Sequence, residues 1–321
     1  IHNVQYQGHF APEWLPTTVG PFPESVVFQE TGIYPNMLGL GLIHAHTVGT
    51  VSPTYAQEMV TPEFAYGLAP LFARRHQPVE GILNGLDYDQ FNPATDPLLK
   101  ATFAAASLGR RAANKAELQR RAGLPPDPRV PLLGMVSRLA DQKGLDILLP
   151  ALERLLPGGG FQFVVLGTGD LRYQGELSRL ASTHQDKLAA FFTFDDGLAR
   201  LIYGGCDVFV MPSRFEPCGL GQLISMRYGA IPLVRRTGGL ADTVTDLSPD
   251  LARGTGFVFT DYTPVALEAT LRRAVDACAR RAEWRRLQQR VMGLDFSWAA
   301  SARKYEAVYL RMVAGRKPAS A

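Results

Sequence analysis

Long hydrophobic runs, cysteines and charge of one sign are all scarce in this chain of 321 residues. Each scarcity excludes something. No stretch approaches the roughly 18–20 consecutive apolar residues that a bilayer-spanning helix needs. The three cysteines, Cys206, Cys218 and Cys278, are odd in number and widely separated. They make neither a zinc-ligand pattern nor a disulfide framework, which points to a reducing compartment. Lys and Arg number 33 against 30 Asp and Glu, a formal net charge of +3, too weak a bias to argue for a nucleic-acid partner. No internal repeat or low-complexity tract is visible. Also missing are an initiator Met, a signal peptide and a charged leader, since the chain opens Ile1-His2-Asn3. The expectation is a soluble intracellular chain whose beginning is absent.

What is present is globular: 46% hydrophobic and 20% charged residues. From about residue 130 the rhythm is regular. Residues 130–136 (VPLLGMV), 161–166 (FQFVVL), 189–194, 207–211 (DVFVM) and 231–234 read as strands. Helical stretches such as 145–156 alternate with them. Short, continuously apolar runs between helices indicate a parallel sheet covered on both faces. That is a doubly wound α/β domain, whose ligands bind beyond the C-terminal ends of the strands.

The first eighty-odd residues differ. Pro and Gly are dense over 12–35, which reads as loop; 47–52 reads as a strand, with a helix from Pro53 towards Met59. Leu83-Asn84-Gly85-Leu86-Asp87 has the turn chemistry of a linker. So few strands cannot close a sheet of their own, so this segment reads as the end of a second domain. Asp295-Phe296-Ser297-Trp298 is expected to cap a helix reaching Val313, with a frayed tail over 315–321. The expected division is 1–84, the closing part of an incomplete N-terminal domain; 85–298, the doubly wound, Rossmann-like domain; and 299–321, a helix packing back toward the first domain, with the tail.

Arg138 and Lys143 share one strand-to-helix loop, with Gly144 at the start of the next helix. Two cations beside free helix N–H groups suit a diphosphate, although solvated loop cations are the plain alternative. Gly167-Thr168-Gly169 ends the next strand and offers close backbone approach. Pro212-Ser213-Arg214-Phe215-Glu216-Pro217-Cys218-Gly219-Leu220 is denser in chemistry. Pro217 fits a first helical position, leaving Glu216 at the helix mouth to accept hydrogen bonds from sugar hydroxyls. Residues 236–242 (RTGGLAD) add another Gly-rich strand-end loop. Such loops opening on one edge make a composite phosphate-and-sugar site. Other candidates read as structural. Asp87-Tyr88-Asp89 spells a metal-binding Asp-x-Asp, but Asp87 already belongs to the linker motif. His44 and His46 lack a third ligand and read as surface residues. Cys218 has no identifiable His partner as a nucleophile. Arg280, Arg281, Arg285, Arg286 and Arg290 read as a solvated helical face, with contact to an anionic partner as the alternative.

Taken together, VSRL at 136–139 with QKGLD at 142–146, PSRFEPCGL at 212–220 and LVRRTGGLADTV at 233–244 resemble the bacterial glycogen synthase and plant starch synthase family. VSPTYA at 51–56, LNGLD at 83–87 and DFSW at 295–298 match as well, so the likeness runs from Ile1 to about Val313. The resemblance implies a GT-B fold: one complete doubly wound, Rossmann-like C-terminal domain and the end portion of a second, N-terminal one. It implies retaining transfer of glucose from ADP-glucose to the non-reducing end of an α-1,4-glucan, with no metal and no further cofactor. Neither nucleic acid nor membrane is an implied partner, and the implied setting is bacterial cytoplasm, with plastid stroma as the alternative.

Matched position by position, Arg138 and Lys143 correspond to the diphosphate-binding pair and Glu216 to the carboxylate facing the glucosyl group. His2 matches the histidine near the transferred glucose, and Asn84 the polar residue at the hinge. Gly167, Cys218, Gly219, Leu220, Thr237, Gly238 and Gly239 fall among the donor-binding positions. Phe194 stands where a Tyr usually faces the adenine and keeps the stacking surface. Several positions depart from the pattern. The Gly-rich, lysine-bearing loop near the family's N-terminus is not in the sequence. Gly39 replaces a common Lys, Gly221 a usual Thr and Ile224 the Glu or Tyr of related enzymes. These departures keep open a transferase using UDP-glucose, or a non-catalytic fragment that binds nucleotide or glucan.

Overall fold

The computed structural model describes residues 1–11 and 25–314. The chain divides into two compact units. One comprises the described residues of Ile1–Asn84 and of Ser301–Ala321, the other Gly85–Ala300.

The first unit holds α1 (Ser25–Thr31), α2 (Met37–His44), β1 (Gly49–Thr50), α3 (Pro53–Glu58), α4 (Ala69–Ala73) and β2 (Glu80–Gly81). β1 and β2 pair in parallel. Ser52 begins α3 by accepting a hydrogen bond from the Tyr55 N–H at 2.9 Å, with Pro53 in the first turn. The loop expected over 12–35 is corrected in part. Residues 12–24 lie outside the described residues, but 25–31 form a helix whose Phe28 is buried in one cluster with Leu42, Tyr55 and Met59. No Pro or Gly falls inside that segment, so nothing local prevents a helical turn.

The second unit contains α5 (Arg111–Arg121), β3 (Leu132–Val136), α6 (Leu145–Leu155), β4 (Gln162–Leu166), α7 (Leu171–Thr183), β5 (Leu188–Phe191) and α8 (Asp196–Gly205). It continues with β6 (Val208–Met211), α9 (Gly221–Arg227), β7 (Ile231–Arg235), α10 (Gly238–Thr243), β8 (Phe257–Phe259), α11 (Pro264–Cys278) and α12 (Arg281–Met292). All six strands are parallel, in the order β5-β4-β3-β6-β7-β8. The chain winds outward one way from β3, then restarts at β6 and winds the other way. A crevice must therefore open between the C-terminal ends of β3 and β6. The strands are apolar on both faces because helices cover both, and Leu132, Leu133, Phe163, Val164, Phe209 and Leu233 are fully buried.

β8 was not among the expected strands. Its three apolar residues follow a Gly-rich turn and are too short to carry a periodicity. The strand expected over 189–194 stops at Phe191, because Asp195 already caps α8 by accepting from the Leu198 N–H at 2.8 Å. A final helix, α13 (Trp298–Ala314), begins at Ser297, whose Oγ accepts from the Ala300 N–H at 3.4 Å. Its residues from Ser301 onward group with the first unit, where Arg311 pairs with Glu80 at 2.7 Å. The expected tail over 315–321 lies outside the described residues. No helix among the described residues is long and apolar enough to cross a membrane.

Candidate functional site

Three loops converge at the crevice between β3 and β6. The first, after β3, carries Arg138, Gln142 and Lys143. Gly144 ends it with φ +76°, and a Cβ there would stand 2.1 Å from the Pro212 carbonyl oxygen. Only glycine lets this loop lie against the second, which follows β6. The second loop carries Ser213 and Glu216. Gln142 stitches the two together: its side-chain amide donates to the Phe215 carbonyl at 3.4 Å, and its own carbonyl accepts from the Arg214 N–H at 2.9 Å. The third loop, after β7, is tied in by the Gly239 N–H, which donates to the Glu216 carbonyl at 3.0 Å. A Cβ on Gly239 would meet the Cys218 carbonyl oxygen at 2.0 Å, so this approach too depends on glycine.

Into this frame project the reactive side chains. Lys143 Nζ lies 2.6 Å from Glu216 Oε2, with side-chain exposures of 17% and 8%. Ser213 Oγ donates to the same carboxylate oxygen at 3.0 Å. Arg138 is exposed and its Nη2 donates to Gln142 Oε1 at 3.1 Å. Arg138, Lys143, Ser213, Glu216, Gly219 and Leu220 line a cavity of about 260 Å³. A second cavity of about 320 Å³ shares Val136, Ser137, Arg138 and Tyr203 with it, and extends past Gly167 to Phe194 and Ile224. Phe194 is 95% exposed, offering an open ring face. Burial raises the Tyr203 phenol far above its usual range, so this wall is neutral.

Of the residues singled out from sequence, Arg138, Lys143, Glu216, Gly219 and Leu220 meet at the first cavity, and Gly167 and Phe194 at the second. Cys218 is buried beside them, and the side-chain amide of Gln222 donates to the Cys218 and Gly219 carbonyls at 3.1 and 2.9 Å. Thr237 ends the third loop as the residue before α10, and Gly238 and Gly239 are the first two residues of that helix. His2, exposed, and Asn84, half-buried, belong to the first unit.

One local expectation is corrected. Pro217 does not begin a helix, because α9 starts only at Gly221. Gly219 at φ +72° intervenes, and a left-handed residue interrupts the helical hydrogen-bond run. Glu216 is thus held by loop contacts and not by a helix mouth.

Ser213, Gln142 and Tyr203 were missed as functional residues. The first two lie inside motifs already noted, but their roles depend on partners far along the chain. His44 and His46 are exposed, and Asp87 accepts from the Asp89 N–H at 2.9 Å as a turn cap. The described residues hold no group of three or more His, Cys, Asp and Glu that could bind a metal ion.

A cation, a carboxylate and an adjoining cavity that reaches the open Phe194 ring at the β3–β6 crevice can hold a ligand with a phosphate, a hydroxylated ring and an apolar base. The fold is that of the GT-B glycosyltransferases, and a family model described as "Glycosyl transferases group 1" matches residues 116–290. The chain belongs to that family and, within it, to the bacterial glycogen synthases and plant starch synthases. A "Starch synthase catalytic domain" model matches residues 1–74. The glycogen synthase of Anaeromyxobacter dehalogenans is 47% identical over 98% of this chain and 66% of its own length. That of Moorella thermoacetica is 46% identical over 99% and 66%. Among solved structures, the catalytic domain of starch synthase IV from Arabidopsis thaliana, bound to ADP and acarbose, is 37% identical with a TM-score of 0.88. That match covers 98% of this chain and 66% of the other. The chain thus spans just under two thirds of the relatives it matches.

Proposed function

We propose that the protein transfers glucose from ADP-glucose, with retention of configuration, to the non-reducing end of an α-1,4-glucan. The observation that carries this reading is the Lys143–Glu216 contact at 2.6 Å at a cavity that shares the Arg138 wall with the one lined by Phe194. The diphosphate lies against Lys143 and Arg138, the adenine against Phe194, and the glucosyl hydroxyls donate to Glu216. As the bond from the anomeric carbon to the phosphate oxygen breaks, negative charge collects on the leaving ADP, and the two cations stabilise it. The acceptor hydroxyl oxygen attacks from the same face and passes its proton to that leaving phosphate, so no side-chain base is required. The adenine nucleotide is favoured because the Arabidopsis neighbour holds ADP. Turnover in this reading needs no metal, and a chelator leaves the rate unchanged. The setting proposed is bacterial cytoplasm, in keeping with three free, buried cysteines and with bacterial relatives.

The test is glucan elongation with labelled ADP-glucose and UDP-glucose in competition, beside calorimetric titration with ADP. Elongation with preference for ADP-glucose supports the reading, and preference for UDP-glucose overturns the donor assignment. A second reading rests on the chain spanning 66% of its relatives: a nucleotide-binding portion that does not turn over unaided. ADP binding without elongation selects it.

A further inference from the structure

The arginine run on α12 is only partly a solvated face. Arg280 donates to the Pro249 and Asp250 carbonyls at 2.5 and 3.1 Å, and Arg290 to the Leu251 and Gly254 carbonyls at 2.9 Å each. Those two staple a neighbouring loop. Arg281 and Arg285 do something else: with Trp284 they line a cavity of about 430 Å³, larger than either cavity at the β3–β6 crevice. Its other walls bring Arg111, Lys115 and Arg129.

The cavity sits at the opposite edge of the sheet. Pro128 and Arg129 lead into β3, and Asp207 immediately precedes β6. Strands of four to five residues rising about 3.3 Å each put it on the order of 15 Å from the donor edge. Its charge is one-sided. Asp207 is the only acidic lining residue, and Lys115 neutralises it at 2.6 Å. Arg129 is held by Asp127 at the rim, and Glu283 lies 3.9 Å from Arg280. Arg111 is committed to backbone carbonyls, including that of Tyr228 at 3.0 Å. Arg281 reaches the Pro128 and Arg129 carbonyls at 3.1 and 3.2 Å through one nitrogen. The Arg285 side chain makes no hydrogen bond or ion pair among the described residues.

The Arg281 and Arg285 side chains are both exposed at this cavity. A multivalent anion accepts hydrogen bonds from both guanidinium groups and offsets their charge.

We propose that this cavity is a second anion site, separate from the donor site, that takes a phosphate-bearing small molecule between Arg281 and Arg285. The test is calorimetric titration of the full chain with inorganic pyrophosphate, in chloride of matched ionic strength so that screening alone gives no signal. Lys143→Ala serves as background to weaken the diphosphate contact of the donor site. Saturable binding is expected there, weakened about tenfold or more by Arg285→Ala and further by Arg281→Ala. Arg285 has no partner to lose, so its variant folds as the parent does, and thermal melts of all variants check this. Absence of saturable binding in the Lys143→Ala background overturns the proposal, as does an affinity indifferent to the arginine changes.

Discussion

Lys143 and Glu216 are both mostly withdrawn from water, at 17% and 8% side-chain exposure, and each compensates the other. Removing one strands its partner, which in buried pairs costs about 3–5 kcal/mol. A loss of rate and a loss of fold must therefore be separated. Lys143→Ala is expected to cut turnover on ADP-glucose by about 10²–10³, the usual cost of losing one preorganised group that meets transition-state charge. The check is steady-state kinetics well below the melting temperature, with the folded fraction measured alongside. An unchanged rate in folded protein removes Lys143 from the mechanism.

Asp141, in the same loop, gives a pH-dependent counterpart. A hydrogen bond from the Tyr173 hydroxyl, then the Arg172 charge, holds its carboxyl below the usual carboxylate range. Because the folded value lies below the unfolded one, the stabilisation is complete above about pH 4 and fades as acidity passes the folded value. Tyr173→Phe should raise the Asp141 pKa toward 3.8, the value for an unperturbed carboxyl, and reduce stability slightly above pH 4. Carboxyl NMR titration reads the first effect and acid unfolding curves the second.

Loops and strands cooperate through close backbone approach. Gly144 lets the β3–α6 loop rest on Pro212, and any side chain there meets a carbonyl oxygen at 2.1 Å. Gly144→Ala carries the left-handed penalty of about 1–2 kcal/mol and also pushes apart the two loops that bring Lys143 to Glu216. The expected outcome is ADP affinity at least about tenfold weaker, together with a lowered melting temperature. Gly123 is also left-handed, at φ +67°, but a Cβ there meets nothing within 4 Å. Gly123→Ala should therefore lose stability with little loss of ADP affinity. Calorimetry on the two variants distinguishes loop spacing from backbone strain.

The described residues gather into two unequal cores. The larger, within the second unit, runs from Leu86 to Met292 and includes both faces of the six-stranded sheet. The smaller gathers a few side chains such as Val4, Phe28, Leu42 and Tyr55 around strands only two residues long. Local opening is governed by buried apolar contact. Amides of β1 and β2 should therefore exchange with solvent at least about tenfold faster than those of β3, β4 and β6. Hydrogen exchange followed by mass spectrometry checks this, and equal protection would mean the small unit draws its stability from elsewhere.

Five of the six strands of the larger sheet are legible in sequence, because a parallel strand covered on both faces must be continuously apolar. β8 is not legible, since three residues carry no period. The candidate site divides in the same way. Arg138, Lys143 and Glu216 stand out from local chemistry, as charges and glycines packed into strand-end turns. Their meeting does not, because Lys143 and Glu216 are 73 residues apart, and only the reversal of strand order at β3 and β6 makes their loops neighbours. Ser213 and Gln142 acquire their roles through that same reversal. Pro217 misleads for a related reason: its preference for a first helical turn is local, while the left-handed Gly219 and the contacts of Gln222 delay α9 to Gly221. On the far edge, the arginines of α12 are plain in sequence as charge. Which of them staple a loop and which face a cavity depends on how α12 packs against the leads into β3 and β6. Residue chemistry is a local property, but a site is a set of distances, and distances between remote residues are fixed only when the sheet closes its order.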